Sequence, residues 1–351
     1  MTPIIIPSYE PDERMLHLLN TMEEKGIGPV IIVDDGSGPE YADLFAQAQE
    51  YVRRLGGTIL THEVNRGKGR ALKTAFAHIL DAYPDAAGGV TADSDGQHTA
   101  DCILSVRQAL EDHPDNLILG VRRFDEEGVP WRSRAGNKIT EKVFAYVSGV
   151  HVTDTQTGLR GIPRAFMKEL LDVPGERFEF EMQMLLECAG DYPVLEVPIQ
   201  TIYDSKDNHQ THFNTFSDSV KIYRILAKKY LKYVFASVSS CVIDLALFAV
   251  FCFFLKERVP AYITVSTVLA RVISAVYNYI ITYKVVFASK QKVTVSGLKF
   301  FLLAVVQMSL SALLVTAGCA LLPFLPEVAV KAFVDCVLFF ISYTVQQKYI
   351  F

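Results

Sequence analysis

From about residue 233 to its end the chain turns into a succession of long apolar runs, and this change constrains the fold more than any single motif. Residues 1–230 read as an ordinary mixed sequence and hold most of the acidic side chains. Half of the 351 residues are hydrophobic, more than a soluble enzyme of this length needs, and the excess lies beyond residue 230. Two domains are expected, divided near that point. Four segments, roughly 233–255, 262–283, 300–322 and 328–347, reach the about 20 residues that a helix needs to cross a bilayer. Four buried helices of a soluble domain are the other reading, but each run is longer than such a helix usually requires.

Lysine placement sets the expected orientation. Lys228, Lys229, Lys232, Lys284, Lys290, Lys292, Lys299 and Lys348 fall on the side of the first domain. Lys256 and Arg258, beside Glu257, and then Glu327 occupy the opposite loops. Positive charge collects on the cytoplasmic side, so both termini and the first domain are expected in the cytoplasm, with the chain multi-pass in the plasma membrane. The opening "MTPIIIPSYE" has no basic region and too short an apolar run for a signal peptide. Cysteines at 102, 188, 241, 252, 319 and 336 form no Cys-x-x-Cys pair and read as small buried hydrophobes in a reducing compartment. A net charge of -5 without a basic stripe argues against nucleic acid as a partner.

The stretch 216–232 spaces Val220, Ile222, Tyr223, Ile225, Leu226 and Tyr230 along one helical face with lysines around it. It reads as an amphipathic helix on the membrane surface, or equally as a connecting helix. Inside the spans, Asp244 and Arg271 fall at similar depth in adjacent segments. An isolated charge there costs at least ~2.5 kcal/mol, so the two are expected to pair. Asn278, and Asp335 one turn after Lys331, are further polar groups in the apolar half. They serve either as glue between helices or as the lining of a polar path.

In the first 230 residues strand-like runs alternate with helical ones, the pattern of a parallel sheet with crossover helices. In such folds ligands sit outside the carboxyl ends of the strands. Ser8–Glu10, Asp34–Asp35, Asn65–Lys68 and Asp93–Asp95 all fall at such ends. Two carboxylates as close as Asp93 and Asp95 repel unless a cation lies between them. The pair is either a solvated loop or a seat for a divalent ion that itself holds phosphates. "NRGKGRA" places Lys68 before a helix, where it serves a phosphate or completes a tight turn. Gly-x-Gly-x-x-Gly after the first strand and a Walker A loop are both missing, which disfavours dinucleotide and P-loop sites.

Taken in order, "IPSYEPDE", "VDDGSG", "NRGKGRALKTAF", "ADSDGQH", "GVRRF", "VPWRSRAGNKI", "VTDTQTGLRGIPR", "ERFEFEMQMLLECAG" and "VLEVPIQTIY" resemble the family-2 inverting glycosyltransferases of the GT-A fold. The nearest branch is the polyprenyl-phosphate, dolichol-phosphate-mannose-synthase-like enzymes. The apolar half, with "RVISAVYNYIITYKVVF", resembles the GtrA-like four-helix family. The resemblance implies an α/β GT-A domain at 1–215, the amphipathic helix at 216–232 and an all-α transmembrane domain at 233–351. It implies that Asp93, Asp95 and Gln97 hold Mg2+ or Mn2+ and the donor diphosphate. Pro7, Tyr9, Glu10, Asp34, Asp35 and Lys68 would then bind the UDP- or GDP-hexose, and Arg122, Arg132 and Arg134 the phosphate of a polyprenyl acceptor. Asp95, Arg122 and Arg134 would be the catalytic residues.

Two segments depart from the family. Its Pro-x-Tyr-Asn-Glu is here broken by Glu10 and Pro11, and its arginine and Ser-Lys pair after the last strand are replaced by a segment containing Tyr203, Asn208 and His212. Those three residues could cover the diphosphate instead. Glu179 and Glu181 would face the site or cap a helix. The implied reaction is transfer of one hexose to polyprenyl phosphate for cell-envelope glycosylation, by a chain that could self-associate. A processive polysaccharide synthase is a rival, although its Gln-x-x-Arg-Trp motif is missing and the only tryptophan is Trp131. A lipid-linked sugar flippase that merely binds nucleotide sugar is another.

Overall fold

A computed structural model describes residues 1–122, 131–189, 191–200, 215–260, 262–287, 289, 291–322 and 324–351. The side chains of some helical residues, 131–136 and 215–219 among them, lie outside that description. The chain divides into two compact units, Met1–Ile225 and Leu226–Phe351.

The first unit is built on a sheet with seven strands among the described residues: β1 (Ile4–Ser8), β2 (Val30–Asp34), β3 (Thr58–Thr61), β4 (Gly88–Thr91), β5 (Leu117–Arg122), β6 (Arg160–Pro163) and β7 (Val194–Ile199). Their order is β3-β2-β1-β4-β6-β5-β7. Ile4, Ile5 and Ile6 of β1 and Val30 to Val33 of β2 are wholly buried, because helices cover both faces, and this is why these strands read as unbroken apolar runs. Ile4, Ile6, Val30 and Ile32 share a core with Met15 and Leu19 of α1 (Glu13–Glu24), Val52 of α2 (Ala42–Arg54) and Ile103 and Val106 of α4 (Ala100–Asp112). On the other face, Gly89 lies against Ile5, Ile79 of α3 (Lys68–Ala82) and Met167 of α6 (Arg164–Leu170).

The sheet is mixed, which corrects the expectation of a wholly parallel one. β6 runs antiparallel to both β4 and β5. It is four residues long and reads "RGIP", too short and too poor in β-branched residues to announce itself. The reversal has a consequence for the site. It brings the residues just before β6 to the rim formed by the carboxyl ends of β1, β2, β4 and β5.

Among the described residues the second unit holds α9 (Tyr262–Ile281), α10 (Val293–Leu321), α11 (Glu327–Val345) and most of α8 (Thr215–Leu255). The segment 216–232 and the first apolar run form one continuous helix, α8. Its polarity is inside out. Phe235, Val242, Phe253, Leu302, Leu313 and Phe333 are exposed, whereas Ser240, Ser266, Ser274, Thr282, Ser296 and Ser342 are buried, the arrangement expected where the surroundings are as apolar as leucine. Among the described residues, Tyr223–Leu255 and Val293–Gly318 are long and apolar enough to cross a membrane. They correspond to the first and third of the four expected spans.

The unit also repeats itself. α8–α9 and α10–α11 are similar hairpins, and each ends in a π-helical turn, Thr282–Val286 and Gln346–Ile350. Ser240 Oγ donates to Ser274 O at 3.0 Å, and Gln307 Nε2 to Leu338 O at 3.3 Å, at corresponding positions. Aromatic locks correspond too: Tyr279 packs on Phe300 and Phe351, Tyr343 on Tyr233 and Phe287. The expected Asp244–Arg271 pair forms at 3.2 Å, with Ser274 Oγ donating to Asp244 at 2.9 Å. At the matching place in the second hairpin, Ser311 Oγ donates to Asp335 at 2.6 Å.

Candidate active site

The rim begins where β1 ends. Pro7, Tyr9 and Glu10 are half-buried there. The Glu10 N–H donates to Ser37 Oγ at 2.9 Å, and the Ser37 N–H donates to Asp34 Oδ1 at 3.0 Å. The ends of β1 and β2 are thereby tied into one turn. Glu10 itself has a φ of 50°, the left-handed region in which asparagine is tolerated far better than glutamate. The asparagine usual in the resembled family suits that backbone. A hydrogen bond to the Glu10 carboxylate raises the pKa of the Tyr9 hydroxyl.

Asp35 turns inward. It is buried and accepts from the Arg66 N–H at 3.0 Å and the Gly67 N–H at 2.7 Å, while His62 Nδ1 lies 2.6 Å away. His62 Nε2 in turn meets Thr74 Oγ1 at 2.9 Å. These bonds fold the loop that follows β3 and set the start of α3. Gly67 is required in that loop: its φ is 99°, and a Cβ would strike the Glu176 carbonyl.

The loop delivers Lys68. Its Nζ lies 2.7 Å from Asp93 Oδ1 and 3.1 Å from Glu181 Oε1, with the side chain 14% exposed. Glu181 stands in the first turn of α7 (Glu179–Cys188). Arg160, fully buried, holds that turn by donating from Nη1 to Glu181 O at 2.7 Å and from Nε to Thr157 O at 2.9 Å. Glu179, by contrast, accepts at 3.3 and 3.4 Å from the backbone N–H groups of Glu176 and Arg177, and so ties the loop before α7 rather than capping the helix.

Burial by itself would push the Asp93 carboxyl up, but Lys68, His98 and Arg122 outweigh it and leave the group at about 2. Asp95 goes the other way, raised by its own burial and by the charge on Asp93. Burial lowers His98, against the pull of both aspartates. The Asp93 N–H donates to His98 Nδ1 at 3.3 Å, and the Gln97 N–H to Asp95 Oδ1 at 3.0 Å. A Cβ on Gly158 would fall on the Asp93 carboxylate, so that glycine makes room for it.

Arg122 closes the rim. Its Nε and Nη2 donate to Asp154 Oδ2 and Oδ1 at 2.7 and 3.0 Å, and Asp154 is wholly buried. One edge of the guanidinium is therefore committed within the protein. Arg132 and Arg134 begin α5 (Trp131–Ser148), but their side chains lie outside the described residues, as do Tyr203, Asn208 and His212 entirely. Reading the sequence missed Asp154, Arg160, Gly158 and His62. The dense Thr-Asp-Thr-Gln-Thr-Gly run was the available signal for Asp154 and Gly158, since side chains of that kind make turns around a backbone.

The donor set suits a divalent ion shared with a substrate. Two partly buried carboxylates, one raised by the charge of the other, want positive charge. Yet among the described residues there is no group of three or more His, Cys, Asp or Glu able to hold a metal ion. Asp93, Asp95 and Gln97 would complete a coordination sphere together with phosphate oxygens, the usual habit of Mg2+.

An α/β GT-A-like unit with an acidic rim, followed by apolar helices, is the architecture of a membrane-bound glycosyltransferase. Residues 4–171 match the model of Glycosyl transferase family 2, and residues 232–351 that of the GtrA/DPMS transmembrane domain. The chain thus carries a family-2 glycosyltransferase domain followed by a GtrA/DPMS transmembrane domain. It is 27% identical over 215 residues, 57% of this chain and 85% of the relative, to a UDP-N-acetylglucosamine–dolichyl-phosphate N-acetylglucosaminyltransferase of Methanococcus voltae. It is 26% identical over 223 residues, 56% of this chain and 65% of the relative, to a dolichyl-phosphate beta-glucosyltransferase of Saccharomyces cerevisiae. A solved mannosyltransferase from Pyrobaculum calidifontis, in complex with GDP-Man and Mn2+, aligns with 99% of this chain and 87% of its own at 14% identity, with a TM-score of only 0.41.

Proposed function

We propose that the protein transfers one hexose from a UDP- or GDP-linked donor to polyprenyl phosphate, with inversion at the anomeric carbon and dependence on Mg2+ or Mn2+. The observation that carries this reading is the cluster of Asp93, Asp95, Lys68 and Glu181 on the rim of the sheet, whose mixed charges suit a diphosphate and its counter-cation. The names of the two relatives, both transferases to dolichyl phosphate, support a lipid phosphate as acceptor.

In this reading Pro7, Tyr9, Glu10 and Asp34 border the nucleoside, and Asp35 shapes the Lys68 loop behind them. Asp93, Asp95 and Gln97 hold the ion, which when bound neutralises charge developing on the leaving diphosphate. Arg122, Arg132 and Arg134 receive the acceptor phosphate, with Asp154 orienting the first of them. A phosphate monoester has its second pKa near ~6, so the acceptor is an anion at neutral pH and requires no strong general base to attack C1.

The domain limits stay at 1–215 for catalysis, 216–232 for the juxtamembrane segment and 233–351 for the membrane. In this reading the four described helices of the second unit serve as four spans, with the catalytic unit and both termini in the cytoplasm, an orientation that the lysine asymmetry supports. Calorimetry tests the donor site. UDP or GDP should bind the wild type only with Mg2+ or Mn2+ present, and Asp95→Ala should remove that dependence along with most of the affinity. Equal, metal-independent binding by both proteins would remove the diphosphate from this rim.

A further inference from the structure

Lys68 is held more firmly than a phosphate-seeking side chain needs to be. Its loop is folded by the bonds from the Arg66 and Gly67 N–H groups to Asp35, and the opposite wall is fixed by Arg160 on the Glu181 carbonyl. Its Nζ also lies over the face of the Phe178 ring, 5.9 Å from the ring centre. The ammonium divides itself between Asp93 at 2.7 Å and Glu181 at 3.1 Å. Asp93 is also one of the ion's proposed ligands. While Lys68 occupies Asp93 Oδ1, a second cation arriving there meets both a used oxygen and a like charge. Among the described residues no group of three or more His, Cys, Asp or Glu is gathered there to compensate for the oxygen that Lys68 uses.

We propose that Lys68 is a resident counter-cation: it neutralises Asp93 and Glu181 while no donor is bound, and moves to the donor diphosphate when Asp93 turns to the divalent ion. The diphosphate is thus what releases Asp93, and ion and nucleotide bind cooperatively. No covalent bond is made or broken; the Lys68–Asp93 ion pair is exchanged for a Lys68–diphosphate pair and an Asp93–ion pair. The inference rests on the reading of Asp93 and Asp95 as ion ligands. It adds that the site resists the ion by itself.

The test is Mn2+ binding to the full chain in detergent, followed by electron paramagnetic resonance of free Mn2+. Titrations are run without nucleotide and with UDP or GDP, correcting for Mn2+–nucleotide complexes in the buffer. Wild type should bind Mn2+ weakly alone and more tightly with the nucleotide, by a factor within the about 5- to 150-fold usual for coupled sites. Lys68→Met should bind Mn2+ alone about tenfold more tightly, and the coupling to nucleotide should shrink. Lys68→Arg, which keeps the charge, should stay close to wild type. Lys68→Gln replaces the methionine variant if that protein does not fold. If Lys68→Met binds Mn2+ alone no better than wild type, or wild type binds it equally with and without nucleotide, the role of Lys68 is overturned while the ion site stands. If wild type binds no Mn2+ under either condition, the ion site and the inference fall together.

Discussion

Glu10 occupies a backbone conformation that its own side chain does not favour, at a φ of 50°. Strain of this kind costs about 1–3 kcal/mol and persists where neighbours enforce it, here through the bond from the Glu10 N–H to Ser37. Glu10→Asn should therefore raise stability by about 1 kcal/mol, read as a higher melting temperature in detergent; no gain would mean that the turn is not strained. Arg122 carries a different liability. Arg122→Ala strands a wholly buried Asp154, and breaking a buried pair from one side costs about 3–5 kcal/mol. Chemical denaturation should show that loss, and Arg122→Ala with Asp154→Ala should lose less than the two single variants combined. A stable Arg122→Ala protein defective only toward acceptor would instead give the whole guanidinium to the phosphate. At this scale the sequence supplied the cast but not the orientations. Asp34 and Asp35 are adjacent and chemically alike, and only the fold turns one to the rim and the other to the Lys68 loop.

The elements around the site are joined by Glu176. Its carboxylate accepts from Arg70 Nε at 2.5 Å and Nη2 at 2.7 Å, and from Lys73 Nζ at 3.3 Å, so it clamps α3 to the approach to α7. Burial would raise its pKa, but the bonds from Arg70 and Lys73 prevail and lower it below the ordinary 4.5. A depressed carboxyl contributes stability that is present above its unfolded value and lost as the pH falls through the folded one. Glu176→Gln should thus be less stable than wild type at pH 7, with the gap narrowing once the pH drops below 4.5. Melting curves across that range check it, and a gap independent of pH would contradict it. The rim was legible in the sequence because polar residues at strand ends break apolar runs abruptly. β6 was not legible, since four residues inserted between two longer strands carry no periodicity, and Arg160 was not, since its guanidinium bonds to carbonyls that no sequence pattern marks.

For the whole molecule, the division near residue 230 was written in composition alone, whereas the doubled hairpin of the membrane unit was hidden. Leucine, valine and phenylalanine substitute for one another along lipid-facing helices, so the two halves differ in sequence while sharing their π-helical turns and inward hydrogen bonds. Asp244 is 15% and Arg271 72% exposed within their 3.2 Å pair, so either one alone would leave an uncompensated charge among apolar surroundings. Asp244→Ala and Arg271→Ala should each lower the melting temperature in detergent, and the double variant should lose less than their sum. Additive losses would dissolve the pair. The most direct measurement of the central claim is transfer itself: radiolabelled UDP- and GDP-hexoses, polyprenyl phosphate and Mg2+ or Mn2+ with the solubilised full chain, beside Asp95→Ala of unchanged melting temperature. Wild type should yield a lipid-soluble product carrying one sugar, abolished by chelation, and Asp95→Ala should yield none. A polymeric product, no covalent product from any donor, or undiminished transfer by Asp95→Ala would contradict the account.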